Sequence, residues 1–384
     1  MRKLFPVAAA EINLDNIKHN VSELKKLVSP KARFMAVVKA DGYGHGAVAI
    51  AKKALASGAD YLAVAMVSEG IKLREAGITA PILVFGWTPP ENINYSLEHD
   101  LTLTVFSLRQ AQYLSQISTK SGLKAKVHIK IDTGMNRLGL QVNQNSHDEI
   151  KYMTELDGLY IEGIYTHFAE ADNRQSDFTR KQYAKFTFLL DNLAGEGIKF
   201  PLAHCANSAA IIDHPSTHMD MVRAGISLYG LYPHRAMQDK VLLKPAMSLK
   251  ARVSHVKHIY EGETVSYGRT FTASEQKRIA TIPVGYADGY SRLLSNKCKV
   301  VIRGQKVPVT GRICMDQFMV DVTGIDGEIQ AGEEAILFGQ ASNGVQVSVD
   351  DIADIIGTIN YEVVCMVGKR IPRIYIERIK NSNL

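Results

Sequence analysis

The chain has 384 residues, 46% hydrophobic and 22% charged, a globular composition that excludes wholesale disorder. At roughly 150 residues per domain it predicts two or three domains, large enough to fold without disulfides or a structural metal. Lysine plus arginine outnumber aspartate plus glutamate by 45 to 39; the net charge of +6 suits an anionic small ligand and leaves no footprint for nucleic acid.

The N-terminus, Arg2-Lys3 followed by Leu4 to Ala10, loosely imitates a signal peptide. The apolar run is minimal, carries Pro6, and passes directly into Glu11-Ile12-Asn13-Leu14 and a helical pattern, which argues against secretion. Short β-rich runs then alternate with helical patterns. The predicted strands are Phe34–Val38, Tyr61–Ala65, Ile82–Phe85, Leu101–Val105, Val127–Asp132, Tyr160–Thr166, Leu202–Ala206 and Met219–Val222. Amphipathic stretches between them include Gly46–Ala56, Glu69–Ala76, Leu108–Ile117 and Thr179–Ala194. Eight strand–helix units over roughly 250 residues are the signature of a (β/α)8 TIM-type barrel; an open doubly wound sheet would give the same alternation with fewer strands.

After Pro245 the helical periodicity fades. Short alternating runs at Leu249–Val256, Arg278–Val284, Lys299–Ile302, Gln317–Val322, Glu334–Phe338 and Arg373–Ile376 are punctuated by glycines. They predict a mostly-β domain with helices near Val349–Ile356 and Glu362–Val367, the boundary falling around Tyr232–Lys244. The expected division is a barrel over residues 11–240 and a β domain over 241–384 that includes 1–10. No apolar run reaches the roughly 18 residues of a membrane span. The cysteines Cys205, Cys298, Cys314 and Cys365 form no C-x-x-C pair or zinc-ligand spacing, so no metal is expected and the cytoplasm is the expected compartment.

Reactive residues fall where such barrels build their sites, at the C-terminal ends of the strands. Lys39 follows the first strand, Arg137 lies in the loop after the fifth, and His167 follows the sixth. Asn207 and Ser208 follow the seventh, and Arg223 the eighth. A lysine after a hydrophobic strand reads either as a surface residue opening a glycine-rich turn or as a Schiff-base amine. The glycines at 42, 44 and 46 do not match the dinucleotide-binding pattern G-x-G-x-x-G, and Asp60 precedes its strand. Asn207-Ser208 is a helix N-cap that, with Gly225-Ile226, also makes a phosphate cradle. Cys314 has no adjacent histidine to activate it as a nucleophile.

Taken in order, the motifs resemble those of the alanine racemases, which are fold-type III pyridoxal-5′-phosphate enzymes. They run from Ala-Glu-Ile-Asn-Leu-Asp near the start through Val-Val-Lys39-Ala-Asp-Gly-Tyr43-Gly-His-Gly and Lys130-Ile-Asp-Thr-Gly-Met-Asn-Arg137-Leu-Gly. Thr166-His167-Phe168, His204-Cys-Ala-Asn-Ser208-Ala and Val-Arg223-Ala-Gly225-Ile226-Ser-Leu-Tyr-Gly follow, then Val-Ser-Tyr267-Gly-Arg and Gly311-Arg-Ile-Cys314-Met315-Asp316. The resemblance implies a homodimer with shared sites and interconversion of L- and D-alanine, supplying D-alanine for peptidoglycan. Lys39 would hold the cofactor covalently and serve as one acid/base; Tyr267 would arrive from the other subunit as the second. Tyr43, Ser208, Gly225, Ile226 and Tyr361 would hold the phosphate. Arg223 would face the pyridine nitrogen, backed by His167 and His204. Arg137 and the backbone N–H of Met315 would orient the substrate carboxylate. Tyr286 would narrow the entrance, together with Tyr361. In many members the lysine matching Lys130 is carbamylated and steadies the arginine matching Arg137.

An arginine at position 223 stays charged and gives up its proton with difficulty, so it implies a weaker electron sink than an aspartate would and fewer side reactions. The rival readings are a racemase of broader specificity, a decarboxylase of basic amino acids, which would need a glycine-triplet phosphate loop that is not found, and a non-catalytic cofactor-binding protein. Such binding proteins resemble the barrel alone.

Overall fold

The short apolar runs of the first half fold as parallel strands, most of them buried on both faces, while the amphipathic stretches pack outside them. The computed structural model describes residues 6–377. Arg2, Lys3, Leu4 and both extreme ends of the predicted β domain lie outside the described residues. Two compact units emerge, one of residues 16–42 and 47–244, the other of residues 6–15, 43–46 and 245–377.

In the first unit eight strands follow one another around a parallel sheet: β1 (Arg33–Val37), β2 (Tyr61–Val64), β3 (Ile82–Val84), β4 (Thr102–Val105), β5 (Ala125–Asp132), β6 (Leu159–Tyr165), β7 (Leu202–His204) and β8 (Met221–Ala224). The last returns to the first, with Met221 opposite Arg33 and Arg223 opposite Met35. Between β7 and β8, Asp220 N–H donates to Ala203 (3.1 Å) and Arg223 N–H to Ala206 (3.0 Å), so the barrel nearly closes. Four short strands (β1 to β4) are wholly buried apart from Arg33, which is why they read as continuous apolar runs instead of alternating ones. Helices Ala47–Ala56, Val67–Glu75, Leu108–Ser121 and Phe178–Gly195 lie near the predicted stretches.

The eighth strand differs from expectation. It is displaced two residues along the chain from Met219–Val222, and Arg223 is therefore a strand residue inside the barrel instead of a loop residue after it. A charged residue reads as the end of a buried strand; here it is tolerated because the interior supplies acceptors.

The second unit is mostly strand. Ala8–Asn13 inserts between Met247–Arg252, antiparallel, and Arg373–Ile376, parallel, so the N-terminal run builds the β domain's sheet. The predicted run Leu249–Val256 is two strands, Met247–Arg252 and His255–Ile259, broken at Val253-Ser254. The latter pairs with Lys277–Ile282 over a small core of Ile259, Val265, Ala273 and Ile279. Residues 43–46 belong to this unit: Arg373 Nε donates to the Gly44 carbonyl (2.9 Å), and a Cβ on Gly46 would collide with the Tyr375 hydroxyl. No helix of the described residues is long and apolar enough to cross a membrane.

Candidate active site

Lys39 leaves β1 after one intervening residue, half-buried, and the backbone then turns left-handed. Ala40, Asp41, Gly42 and Tyr43 all have φ between 50° and 64°. For a non-glycine residue that conformation costs about 1 kcal/mol or more, and it persists only when neighbours over-determine it. They do so here. Gly42 N–H donates to Val38 (2.9 Å), Ala47 N–H to the Asp41 carboxylate (3.1 Å) and Ala40 N–H to Glu69 (2.6 Å). The other Glu69 oxygen accepts Ala65 and Met66 N–H, at 2.7 and 3.1 Å, so one carboxylate ties the turn after β1 to the turn after β2. Backbone strain of this kind clusters at functional sites, and here it adjoins the lysine.

Arg223 is the centre of the barrel's polar interior. Its Nη1 donates to His204 Nδ1 (2.8 Å), and its Nη2 to the carbonyls of Thr166 (2.9 Å) and Cys205 (3.0 Å) and to His167 Nδ1 (3.2 Å). Nε makes no hydrogen bond with the described residues. Burial lowers the guanidinium to about 10, which leaves it charged at neutral pH. His167 and His204 are held well below their usual value by burial and then by Arg223, so both are neutral. Lys130, Arg137 and Lys39 depress His167 further, so four basic side chains act on one imidazole. Lys130 is buried, donates to Ile131 O (2.8 Å) and lies 5.2 Å from the Tyr165 ring centre; burial, then Arg223, lowers its amine to about 7. Arg137 is exposed in the loop after β5. The mouth therefore favours an anion.

Ser208 and Asn207 divide the cap between them. Asn207 Oδ1 accepts Ala210 N–H (3.0 Å), the N-cap expected of it. Ser208 Oγ accepts Gly225 N–H (2.8 Å) and Ser227 N–H (3.4 Å), which fixes the hydroxyl against the turn that leads into Ile226–Tyr229 and leaves its hydrogen available.

The remaining expected residues belong to the second unit. Tyr267 is 69% exposed, and it follows Ser266 and precedes Gly268 and Arg269, all three at positive φ. Ser266 Oγ donates to the Arg312 carbonyl (2.5 Å), holding this strained turn. Tyr286 N–H donates to Cys314 O (3.1 Å), and a Cβ on Gly285 would stand 2.2 Å from the Met315 carbonyl, so only glycine lets these loops meet. Cys314 N–H donates to Gln317 O (2.9 Å), and Asp316 accepts Arg370 Nη2 (2.5 Å), whose Nε bonds Asp288. Tyr286 and Met315 are exposed. Tyr43 is buried with its ring 6.3 Å from that of Tyr361; burial and Tyr361 push its phenol above the ordinary value, so it stays a donor.

A parallel barrel with a lysine just past one strand and a buried arginine in its interior belongs to the class of folds that build small-molecule enzyme sites at their strand ends. Residues 12–233 match the family described as alanine racemase, N-terminal domain, and residues 246–375 the alanine racemase C-terminal domain. The chain belongs to the alanine racemase family. It is 50% identical to the alanine racemase of Methanococcus maripaludis over 96% of this chain and 98% of that protein. Among solved structures, the alanine racemase of Clostridium difficile 630 superposes with a TM-score of 0.93 at 45% identity, covering 97% of each chain. The alanine racemase of Bacillus anthracis with bound L-Ala-P gives 0.90 at 36% identity over 98% of this chain and 96% of that one.

Three structural residues were not singled out by the sequence reading: Glu69, which ties two loops, and the buried His128 and half-buried Glu162 behind His204. None sits in a motif; parallel register places His128 and Glu162, and the helix Val67–Glu75 places Glu69.

Proposed function

We propose that the protein interconverts L- and D-alanine with pyridoxal 5′-phosphate, as a homodimer in which Lys39 and Tyr267 of the partner subunit act on opposite faces of the substrate. The observation that carries the cofactor assignment is Arg223: a buried, charged guanidinium whose Nε–H makes no hydrogen bond with the described residues, matched to an acceptor such as a pyridine nitrogen. The Ser208 hydroxyl and the Gly225–Ile226 turn suit a phosphate, with Tyr43 and Tyr361 as further donors. When bound, the cofactor supplies a conjugated, electron-accepting ring that takes up the charge left at Cα when its proton leaves.

The chain's residues supply the rest. Lys39 would hold the cofactor, and its Nζ would move a proton on one face of Cα. The Tyr267 phenol of the partner subunit moves a proton at its oxygen on the other face. Neutral His167, its Nδ1 committed to Arg223, keeps Nε2–H to donate to a phenolate oxygen. Arg137 and the Met315 N–H orient the carboxylate, and Tyr286 with Tyr361 narrows the way in. Cys314 and Asp316 hold the Met315 loop. Burial and Arg223 leave the Lys130 amine uncharged in part at neutral pH, the form that carbamylation would need. The protein works in the cytoplasm, supplying D-alanine to peptidoglycan.

Chiral chromatography of purified protein incubated with cofactor and either enantiomer of alanine tests the activity. Both reactions should converge on equal amounts of the two enantiomers, and borohydride should fix the cofactor to the peptide carrying Lys39. A protein that binds the cofactor but leaves each enantiomer unchanged would contradict the proposal.

A further inference from the structure

Behind Arg223 a line of polar side chains runs through the barrel that the chemistry above does not use. Arg223 Nη1 donates to His204 Nδ1 at 2.8 Å; His204 Nε2 meets His128 Nδ1 at 2.8 Å; His128 Nε2 meets Glu162 Oε2 at 3.1 Å. Tyr61 donates to the same carboxylate oxygen (2.7 Å) and touches the Thr102 hydroxyl (2.9 Å). Both imidazoles are fully buried, and Tyr165 stacks on His204 with ring centres 4.7 Å apart and planes 2° from parallel. The chain of contacts also depends on Gly163, where a Cβ would stand 2.8 Å from the His128 ring.

The two ends fix the protons between them. A guanidinium can only donate, so His204 Nδ1 carries no hydrogen and Nε2 does. His204 Nε2–H therefore donates to a bare His128 Nδ1, and His128 Nε2–H to Glu162, an acceptor when ionised. Two protons on four ring nitrogens satisfy every contact. A third proton sets two donors face to face, and a tautomer shift in either ring does the same. Burial and Arg223 hold His204 neutral; burial holds His128 below its usual value although Glu162 pulls the other way. The Glu162 carboxyl is kept below its ordinary range because the His128 and Tyr61 hydrogen bonds outweigh its own burial.

We infer that Glu162 is a positioning residue for Arg223: through His128 and His204, both neutral with the proton on Nε2, it holds the guanidinium in the orientation that leaves Nε–H for the bound ligand. The inference rests on the reading of Arg223 given above and adds to it a carboxylate two side chains further away. Apolar packing would fill this space without the demand for paired groups, so a satisfied polar row that orients one cation has a use that packing alone lacks.

The test uses the full chain labelled with nitrogen-15 in histidine, with and without pyridoxal 5′-phosphate, the rings assigned by His128→Gln and His204→Gln. In the cofactor-free wild type both rings should show Nε2–H and bare Nδ1. Glu162→Gln keeps an amide oxygen in place of the acceptor and should retain this pattern and the wild-type cofactor affinity. Glu162→Leu removes the acceptor, should move the proton to Nδ1 in at least one ring, and should raise the cofactor dissociation constant about tenfold, the scale of one buried hydrogen bond lost. A proton on Nδ1 of either ring in the wild type overturns the inference even if Glu162→Leu does not fold. So does a folded Glu162→Leu with unchanged tautomers and affinity. Lack of alanine racemisation in the wild type would instead defeat the functional proposal and leave the ring measurement standing.

Discussion

At the scale of single residues the barrel interior stores its chemistry as unpaired or fixed donors. Ser208 is a clear case, because one hydroxyl oxygen takes two backbone N–H groups, from Gly225 and Ser227. Ser208→Ala leaves both without that acceptor inside the barrel, which should cost about 1–3 kcal/mol of stability and weaken cofactor binding. Urea unfolding and a cofactor titration check this; an unchanged unfolding midpoint would show that the hydroxyl holds nothing in place. The histidines make a second prediction. His128, His167 and His204 have folded pKa values depressed below 6.5 by burial, so below that pH the unfolded chain binds more protons than the folded one. Their contribution is whole above about pH 6.5 and is lost as pH falls, with a slope of up to about 1.4 kcal/mol per histidine per pH unit. Cofactor-free protein unfolded in urea should therefore be markedly less stable at about pH 5.5 than at about pH 7. The His128→Gln, His204→Gln double variant should show a shallower fall. Equal slopes would mean that these rings are not held neutral.

At the scale of elements the left-handed turn after β1 is the least self-sufficient segment of the site. It stands on Glu69, which accepts three backbone N–H groups from two loops. Glu69→Ala should lower stability by about 2–4 kcal/mol and speed loss of the cofactor, seen by thermal unfolding and by the decay of bound absorbance after dilution. If unfolding is unchanged, the turn is held by Asp41 and Gly42 alone. How legible these elements were follows from their surroundings. The barrel strands stand out because burial on both faces demands unbroken apolar runs, and Lys39 and His167 were visible as polar residues at the ends of such runs. Arg223 sits within its strand, where a charge reads as a boundary. Gln305–Thr310 escaped notice because Pro308 reads as a breaker, and Ala8–Asn13 because its alanines precede a helix without a turn signal. Glu69, His128 and Glu162 carry no local signal at all; Glu69 acts from a helix, whereas register places His128 beside Gly163 and Tyr165 beside His204, and only then do His128 and Glu162 join a network.

At the scale of the whole molecule, the first unit holds the cation-rich barrel interior and the second the exposed phenol of Tyr267 and the Met315 loop. Exposed Tyr267, Tyr286 and Met315 on one unit are what a subunit would offer to a neighbour. The most direct test of the proposed shared site mixes two variants, Lys39→Ala and Tyr267→Phe, each expected to lose at least about a hundredfold in kcat. Random reassociation after unfolding makes half of the dimers mixed, each with one intact site, so the account predicts recovery of about a quarter of wild-type activity. A mixture that stays as inactive as its parents would contradict it.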